Sequence, residues 1–140
     1  MEEILAIDVV IDGAADVTGA DGNACMIAFH GESNCKNFKG TILPGGVDTQ
    51  KQLKDEPRSL SARYILEGTD YTGEHCRIFI ENNGVFQQDG SIKTKPIILT
   101  DSKALSWMAH ADITGTITGT ENGVRIAFWA EKEDRASADL

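Results

Sequence analysis

The chain has 140 residues, of which 13 are basic and 22 acidic, and its formal net charge is −9. This length corresponds to one domain, and the acidic balance argues against nucleic acid or an anionic membrane surface as partners, since both recruit cationic surfaces. Hydrophobic residues make up 41% of the chain and charged residues 25%, which is typical of a globular domain with a sizeable core.

The first residues differ from a secretory signal. Glu2 and Glu3 occupy the place of the basic start that such a signal needs, and Asp8 interrupts the apolar run that follows. No stretch approaches the ~20 apolar residues of a membrane-spanning helix. We therefore expect a cytoplasmic protein, in which cysteines remain reduced. Free thiols are expected at Cys25, Cys35 and Cys76.

Short apolar or alternating runs, separated by turn residues, predict β-strands along most of the chain. The clearest hairpin signal is Asn122-Gly123 near the C-terminus, because this dipeptide suits the positive φ of a tight turn. The predicted strands cover residues 4–11, 24–29, 38–43, 60–67, 76–81, 97–100, 113–120 and 124–131.

Turn-forming and polar segments predict where these strands end. The sequence Pro-Gly-Gly at residues 44–46 breaks the strand before it, and the polar segment 48–57 is predicted to be a loop. Asn-Asn-Gly at residues 82–84 is predicted to end another strand. Residues 101–110 are the exception, because their helix formers and a candidate N-cap predict one short helix.

Many short strands with closely spaced turns are typical of an all-β sandwich or barrel. A closed barrel is favoured because it leaves no exposed strand edges. We therefore predict a closed or nearly closed antiparallel β-barrel with one short helix, formed as a single domain by residues 1–133 and followed by a polar tail at residues 134–140. An eight-stranded barrel either fills its interior with side chains or holds one small ligand there.

Four short motifs resemble a known family. They are GGVDTQ at residues 45–50, ARY at residues 62–64, NNG at residues 82–84 and the tryptophan segment SWM at residues 106–108. Together they make the chain, over about residues 4–131, similar to the DUF3237 family of small bacterial proteins, also called UPF0311. The resemblance implies a lipocalin-like β-barrel with a pocket, and it brings no reaction with it.

The chain departs from the family pattern at Thr49, where the family commonly has tryptophan. If that tryptophan covers a ligand in the relatives, the departure implies a more open pocket or a different ligand. Two adjacent glycines before this position allow close backbone approach or positive φ, and they are predicted to bring Asp48 and Gln50 to the mouth of the barrel. The candidate ligand-binding residues are Asp48, Gln50, Arg63, Tyr64, Asn83 and Trp107.

Each candidate also has a purely structural interpretation. Asp48 suits the bend of its own turn as well as it suits a ligand. Strand alternation favours Tyr64 inside and Arg63 outside, whereas an inward Arg63 would need a partner, and both orientations of Arg63 stay open. Tyr64 and Trp107 are more often core residues than ligand platforms.

The sequence predicts neither a metal site nor a cofactor. His30, His75 and His110 are scattered and form no HxH or HExxH pair, and the cysteines form no CxxC pair. No nucleophile elbow, Walker loop or dinucleotide fingerprint is present in the sequence.

Three functions from different classes remain open. The leading hypothesis is a barrel that binds a small organic molecule in an apolar pocket, with Asp48, Gln50, Arg63 and Asn83 at its polar end. The second is an isomerase, cyclase or lyase in which Asp48, with Arg63 or Tyr64, transfers protons in the same pocket. The third is a structural homo-oligomer without a ligand, formed through the alternating threonines of residues 114–120.

Overall fold

The computed structural model describes residues 1–132 and residue 134. These residues form nine strands and one short 3-10 turn, Ser106–Ala109, which confirms the all-β prediction. Apart from Asp134, the predicted polar tail lies outside the described residues. The strands are β1 (Glu2–Gly19), β2 (Gly22–Asn34), β3 (Phe38–Ile42), β4 (Val47–Leu53), β5 (Ser59–Asp70), β6 (His75–Phe86), β7 (Ile92–Thr100), β8 (Thr114–Gly119) and β9 (Gly123–Ala130).

The strands close into a ring through the first strand of the chain. β1 pairs with β2 along one side and with β9 along the other, so the two ends of the antiparallel sheet are joined. The predicted hairpin of β8 and β9 is confirmed. The least extensive strand pairing in the ring is that between β7 and β8, which consists of the single pair Thr94 and Gly115.

β3 and β4 share one place in the ring, because both pair with β2 and with β5. They form one long strand that is interrupted at Pro44-Gly45-Gly46. Gly45 has a φ of 109°, and the carbonyl of Gly46 accepts a hydrogen bond from the N–H of Phe29 at 3.2 Å. The prediction of a loop over residues 48–57 is therefore wrong for β4, whose polar sequence is held by backbone pairing on both sides.

The predicted end of a strand at residues 82–84 is also wrong, because β6 continues through this segment. Asn82 pairs with Ala62 on β5 and with Pro96 on β7. Hydrogen bonding from two neighbours overrides the local preference of Asn-Asn-Gly for a turn. The actual turn follows β6 and contains Gly90, whose φ is 84°.

The predicted helix over residues 101–110 is reduced to the 3-10 turn. Leu105, Trp107 and Met108 are all buried and join the barrel core. Apolar side chains at this spacing do not share one face of an α-helix, so an amphipathic α-helix would leave part of them exposed. The segment instead packs all three into the core.

Alternation along the strands separates a filled end of the barrel from an end with space. On β5, Ala62, Tyr64 and Leu66 face inward, as patterning predicts, and Arg63 faces outward. The half of the interior around Leu66 is filled by large apolar side chains, including Phe38 and Phe128. The half around Ala62 is lined less completely and contains the cavity described below.

The three cysteines, Cys25, Cys35 and Cys76, are free thiols in the structure. Cys76 is buried in the core, and the other two are half-buried. Over the described part of the chain, no helix has the length and apolar character that crossing a membrane requires.

Asp70, at the end of β5, organises two loops at the filled end of the barrel. Its carboxylate accepts hydrogen bonds from Thr72 N at 2.9 Å, Thr72 Oγ1 at 2.5 Å, Glu74 N at 3.2 Å and Ser102 Oγ at 2.7 Å. Burial opposes ionisation, but these hydrogen bonds outweigh it and hold the pKa of Asp70 below its usual range.

We predict that Asp70→Asn lowers the free energy of unfolding near neutral pH by about 2 kcal/mol, because the substitution weakens charge-assisted hydrogen bonds. The pKa of Asp70 is lower in the folded protein than in the unfolded chain, so ionised Asp70 stabilises the fold at pH values above its unfolded-state pKa. This contribution is lost as the pH falls through the folded-state pKa. Urea unfolding near pH 7 and near pH 3 measures both effects. A difference between wild type and Asp70→Asn that persists undiminished near pH 3 contradicts this account.

Candidate functional site

A cavity of about 260 Å³ lies inside the barrel beyond its filled end. Every strand except β3 contributes to its wall, and most of the lining side chains are apolar. Ile11, at the rim, is 48% exposed, so the cavity meets solvent at that end. The polar side chains of the lining are Asp48, Gln50 and Asn82.

Asp48 is held by a chain of side-chain hydrogen bonds at the rim. Its Oδ2 accepts a hydrogen bond from Gln50 Nε2 at 2.9 Å, and Gln50 Oε1 accepts one from Arg58 Nε at 3.1 Å. Arg58 Nη1 in turn donates to Asn23 Oδ1 at 2.7 Å. The second carboxyl oxygen, Asp48 Oδ1, is buried and has no hydrogen-bond partner within residues 1–132 and 134.

Burial raises the pKa of Asp48 above its usual range, because the cavity wall removes water from the charged form. The hydrogen bond from Gln50 and the positive charge of Arg58 lower the pKa, but they offset only part of the effect of burial. Asp48 therefore exchanges its proton closer to neutral pH than an exposed aspartate does. The carboxyl donates a hydrogen bond only when it is protonated, and it accepts hydrogen bonds in both protonation states.

Asn82 is the most unusual polar residue of the interior. It is fully buried, and neither its Oδ1 nor its Nδ2 has a hydrogen-bond partner among the residues that the structure describes. An unpaired buried amide costs about 1–3 kcal/mol, so an interior built for stability alone would not contain it. This amide is available to a ligand that both donates and accepts hydrogen bonds.

Asp48 and Asn82 lie at the same level of the barrel, on either side of Ala62. The strand register pairs Asp48 with Ala62 and Ala62 with Asn82. Two strand spacings separate the backbones of the two polar residues by ~9.6 Å. The methyl group of Ala62 leaves space between them, and a polar group of a ligand placed over Ala62 meets both side chains.

The structure divides the predicted binding residues between the two faces of the sheet. Asp48 and Gln50 line the cavity, whereas Arg63 and Asn83 lie on the outer face. There Arg63 Nε donates to Glu81 Oε1 at 3.0 Å, and Asn83 Nδ2 donates to Glu81 Oε2 at 3.0 Å. The expectation that Arg63 and Asn83 share the polar end of the pocket is corrected, because strand alternation turns both away from the interior.

Tyr64 and Trp107, the two aromatic candidates, are core residues that do not line the cavity. The ring of Tyr64 packs edge-on against Phe29, with 5.5 Å between the ring centroids. Its hydroxyl has no hydrogen-bond partner in the described part of the chain, and burial raises the pKa of Tyr64 well above its usual range. Trp107 is buried in the 3-10 turn and does not belong to the cavity lining.

Sequence reasoning missed Asn82 and Arg58. Strand alternation does indicate that Asn82 faces inward. Ile78 and Ile80 on β6 face the interior, and position 82 follows them with the same period of two. The prediction of a turn at this point hid this signal. Arg58 carries no local signal, because it precedes β5 and reaches the site only through its long side chain.

Thr49, the position at which the chain departs from the family pattern, lies on the outer face of β4. It pairs with Met26 on β2, whose side chain is 54% exposed, and it alternates with the inward Asp48 and Gln50. A residue at this position does not cover the cavity. Thr49 therefore does not open this cavity, and the alternative that the departure goes with a different ligand stays a prediction.

Within the described residues, no group of three or more His, Cys, Asp and Glu side chains is arranged to hold a metal ion. The chemistry that the site itself offers is hydrogen bonding by Asn82 and proton exchange by Asp48. Both act against apolar walls, where such interactions are stronger than in water.

We predict that Asp48→Asn raises the free energy of unfolding near pH 8 and leaves it unchanged near pH 3. A raised pKa means that the native state loses stability as the pH rises through the folded-state pKa, and asparagine removes this loss. Urea unfolding at the two pH values measures the effect. Asp16→Asn, at an exposed site, is the matched control. Equal effects of Asp48→Asn at both pH values contradict the prediction.

The family model described as "Protein of unknown function (DUF3237)" matches residues 4–130 of the chain. A UPF0311 protein of Clostridium acetobutylicum is 35% identical over 89 residues, which cover 60% of this chain. The match spans about half, 52%, of the length of that relative.

Solved structures of similar proteins share the fold over nearly the whole chain. A protein with unknown function from Clostridium acetobutylicum ATCC 824 has a TM-score of 0.77 and 26% identity, and the match covers 91% of this chain and 95% of that one. A β-barrel-like protein from Acinetobacter baumannii AYE has a TM-score of 0.70 and 18% identity, with 92% and 93% covered. The resemblance of the sequence motifs is confirmed, and the chain belongs to the DUF3237 family.

Proposed function

We propose that the protein binds a small, largely apolar organic molecule inside the barrel, with one polar group of the ligand over Ala62. The observation that carries the proposal is Asn82, whose amide is fully buried and unpaired in the wall of a cavity. Asp48 Oδ1, the second unpaired polar atom at this level, supports it. A ligand that pairs with both groups repays the cost of burying them.

The volume of the cavity limits the size of the ligand. About 260 Å³ is available. Taking ~30 Å³ for each non-hydrogen atom, the volume of a water molecule in the liquid, this space fits a molecule of about nine non-hydrogen atoms. A single ring or a short branched chain is of this size. The apolar wall, with Ile27, Phe29 and Phe86, suits a hydrocarbon body.

The polar groups limit the chemistry of the ligand. Asn82 offers an NH2 group with two donor hydrogens and one acceptor oxygen, and the Asp48 carboxyl accepts when ionised and also donates when protonated. A hydroxyl or carbonyl group complements both side chains. A ligand with a permanent negative charge is disfavoured, because Asp48 is acidic and the lining offers no positive charge to offset the loss of water.

We predict that small alcohols and ketones of up to about nine non-hydrogen atoms raise the melting temperature of the wild-type protein in a thermal-shift panel. Asn82→Leu removes both unpaired amide atoms. It is expected to raise the melting temperature of the free protein by a few degrees and to abolish the response to the panel.

Asn83→Leu is the matched control, because Asn83 is adjacent in sequence but lies on the outer face. It is expected to retain the response of the wild type. A wild-type protein that no member of the panel stabilises contradicts the proposal, and so does an Asn82→Leu variant that responds like the wild type.

A second candidate function is acid–base catalysis in the same cavity, as in an isomerase, cyclase or lyase. The specific observation in its favour is the raised pKa of Asp48, together with the Gln50 and Arg58 hydrogen bonds that orient the carboxyl. Arg63 lies on the outer face and the Tyr64 hydroxyl lies outside the cavity lining, so Asp48 would transfer the proton without them.

We predict for this candidate that the wild-type protein accelerates exchange of the α-hydrogens of bound ketones with deuterium oxide by about 100-fold, a typical contribution of one general base. Proton NMR measures the exchange. Asp48→Asn is expected to abolish the acceleration and Asn83→Leu to retain it. Exchange at the rate of protein-free buffer, for ketones shown to bind, leaves binding as the function and excludes this catalysis.

A reducing compartment such as the cytoplasm is the location that we propose. Its support is the odd number of cysteines, three, which leaves at least one thiol unpaired within the chain.

A further inference from the structure

The outer face of the barrel carries a row of apolar side chains across three neighbouring strands. Ile65 on β5 pairs in register with Phe79 on β6, and Phe79 pairs with Leu99 on β7. Ile65 is 39% exposed and Leu99 is 56% exposed. Ile97, two positions before Leu99 on the same face, is 51% exposed. We call Ile65, Phe79 and Leu99 the apolar row.

One ion pair lies on each side of the apolar row. On one side, Arg77 Nε lies 2.7 Å from Glu67 Oε2, and on the other side Arg63 Nε lies 3.0 Å from Glu81 Oε1. The order of charge is reversed between the two sides. β5 carries the acid of the first pair and the base of the second, whereas β6 carries the base of the first and the acid of the second.

This arrangement is complementary to itself. Consider a two-fold axis that lies in the contact plane and runs along the apolar row, across the strands. This axis places each strand opposite the same strand of a second copy. It also places the residues on one side of the row opposite those on the other side. Glu67 then faces Arg63 of the second copy, and Arg77 faces Glu81. The apolar row faces itself. Such an isologous contact is the commonest symmetry among homodimers.

We propose that a second copy of this chain occupies this face and forms a two-fold symmetric homodimer over β5, β6 and β7. Charge complementarity selects this occupant, because each residue of the two ion pairs meets an opposite charge under one symmetry operation. The exposed Asp101, at the level of Arg77, then faces Ile97 of the second copy. The apolar row supplies the buried centre of the contact, and the ion pairs form a polar rim. The dimer is independent of the ligand proposed for the cavity.

The contact that these strands offer is small. Three strands at ~4.8 Å spacing and three outward rows at ~6.8 Å give a central patch well below the ~800 Å² per partner of a standard stable interface. We therefore expect a reversible dimer whose population changes over ~1–500 µM protein. Sedimentation velocity over this range measures the dissociation constant.

Two double variants test the proposed geometry without disturbing the fold. Glu67→Arg with Arg77→Glu reverses the first ion pair, and Arg63→Glu with Glu81→Arg reverses the second. Each variant keeps its ion pairs within the chain and its net charge, but like charges meet across the two-fold axis. Each is expected to weaken homodimerisation by at least tenfold.

Mixing the two double variants is the decisive measurement. In the mixed dimer each residue of the two ion pairs again meets an opposite charge, so the mixture is expected to associate within about threefold of the wild-type dissociation constant. A mixture that stays monomeric overturns the proposed two-fold arrangement. Double variants that dimerise like the wild type contradict the proposal that the dimer contact lies on the outer face of β5, β6 and β7.

Leu99→Ser tests the apolar row separately. It is expected to weaken the dimer by about tenfold through loss of buried apolar area. Leu53→Ser is the matched control, because Leu53 is 53% exposed and lies on β4, outside the row. A wild-type chain that remains monomeric at ~500 µM overturns the proposal. This outcome leaves the ligand proposal untouched.

Discussion

The structure depends on the backbone hydrogen bonds that β1 makes on both of its sides. Because β1 joins β2 to β9, the sheet closes, and every inward side chain must then share one limited interior. Closure explains why polar strands such as β4 are ordered at all, since they gain backbone partners on two sides. It also fixes which residues meet, because the period of two gives each strand one inner and one outer series.

Within this closed interior, the two ends have different roles. The filled end holds Leu66, Phe128 and their neighbours at near-complete burial and supplies the stability of the fold. The other end retains a cavity and places Asp48 and Asn82 in its wall with polar atoms that lack partners among the described residues. Unpaired buried polar atoms lower stability, and their grouping at one level beside Ala62 is the arrangement expected of a binding site. The family and the barrel fold are shown by comparison, whereas the ligand is inferred from these atoms.

The sequence predicted the barrel because most strands alternate clearly, as the inward series Ala62, Tyr64 and Leu66 illustrates. It also predicted that Asp48 and Gln50 lie at the mouth of the barrel, because the diglycine turn before them is a strong local signal. It failed for β4 and for Asn82, where local composition indicates a loop or a turn but pairing with two neighbouring strands decides the conformation. Hydrophobic patterning placed Arg63 outside, but its orientation stayed open because a ligand in the pocket could have been the partner that an inward arginine needs.

The most direct test of the central claim is an NMR titration of the isotope-labelled protein with the panel member that stabilises it most. The account predicts that the side-chain amide of Asn82 and the methyl group of Ala62 change chemical shift with one common dissociation constant, while the amide of Asn83 does not. Saturating shifts confined to the outer face, or no shift at Asn82 at any ligand concentration, would contradict it.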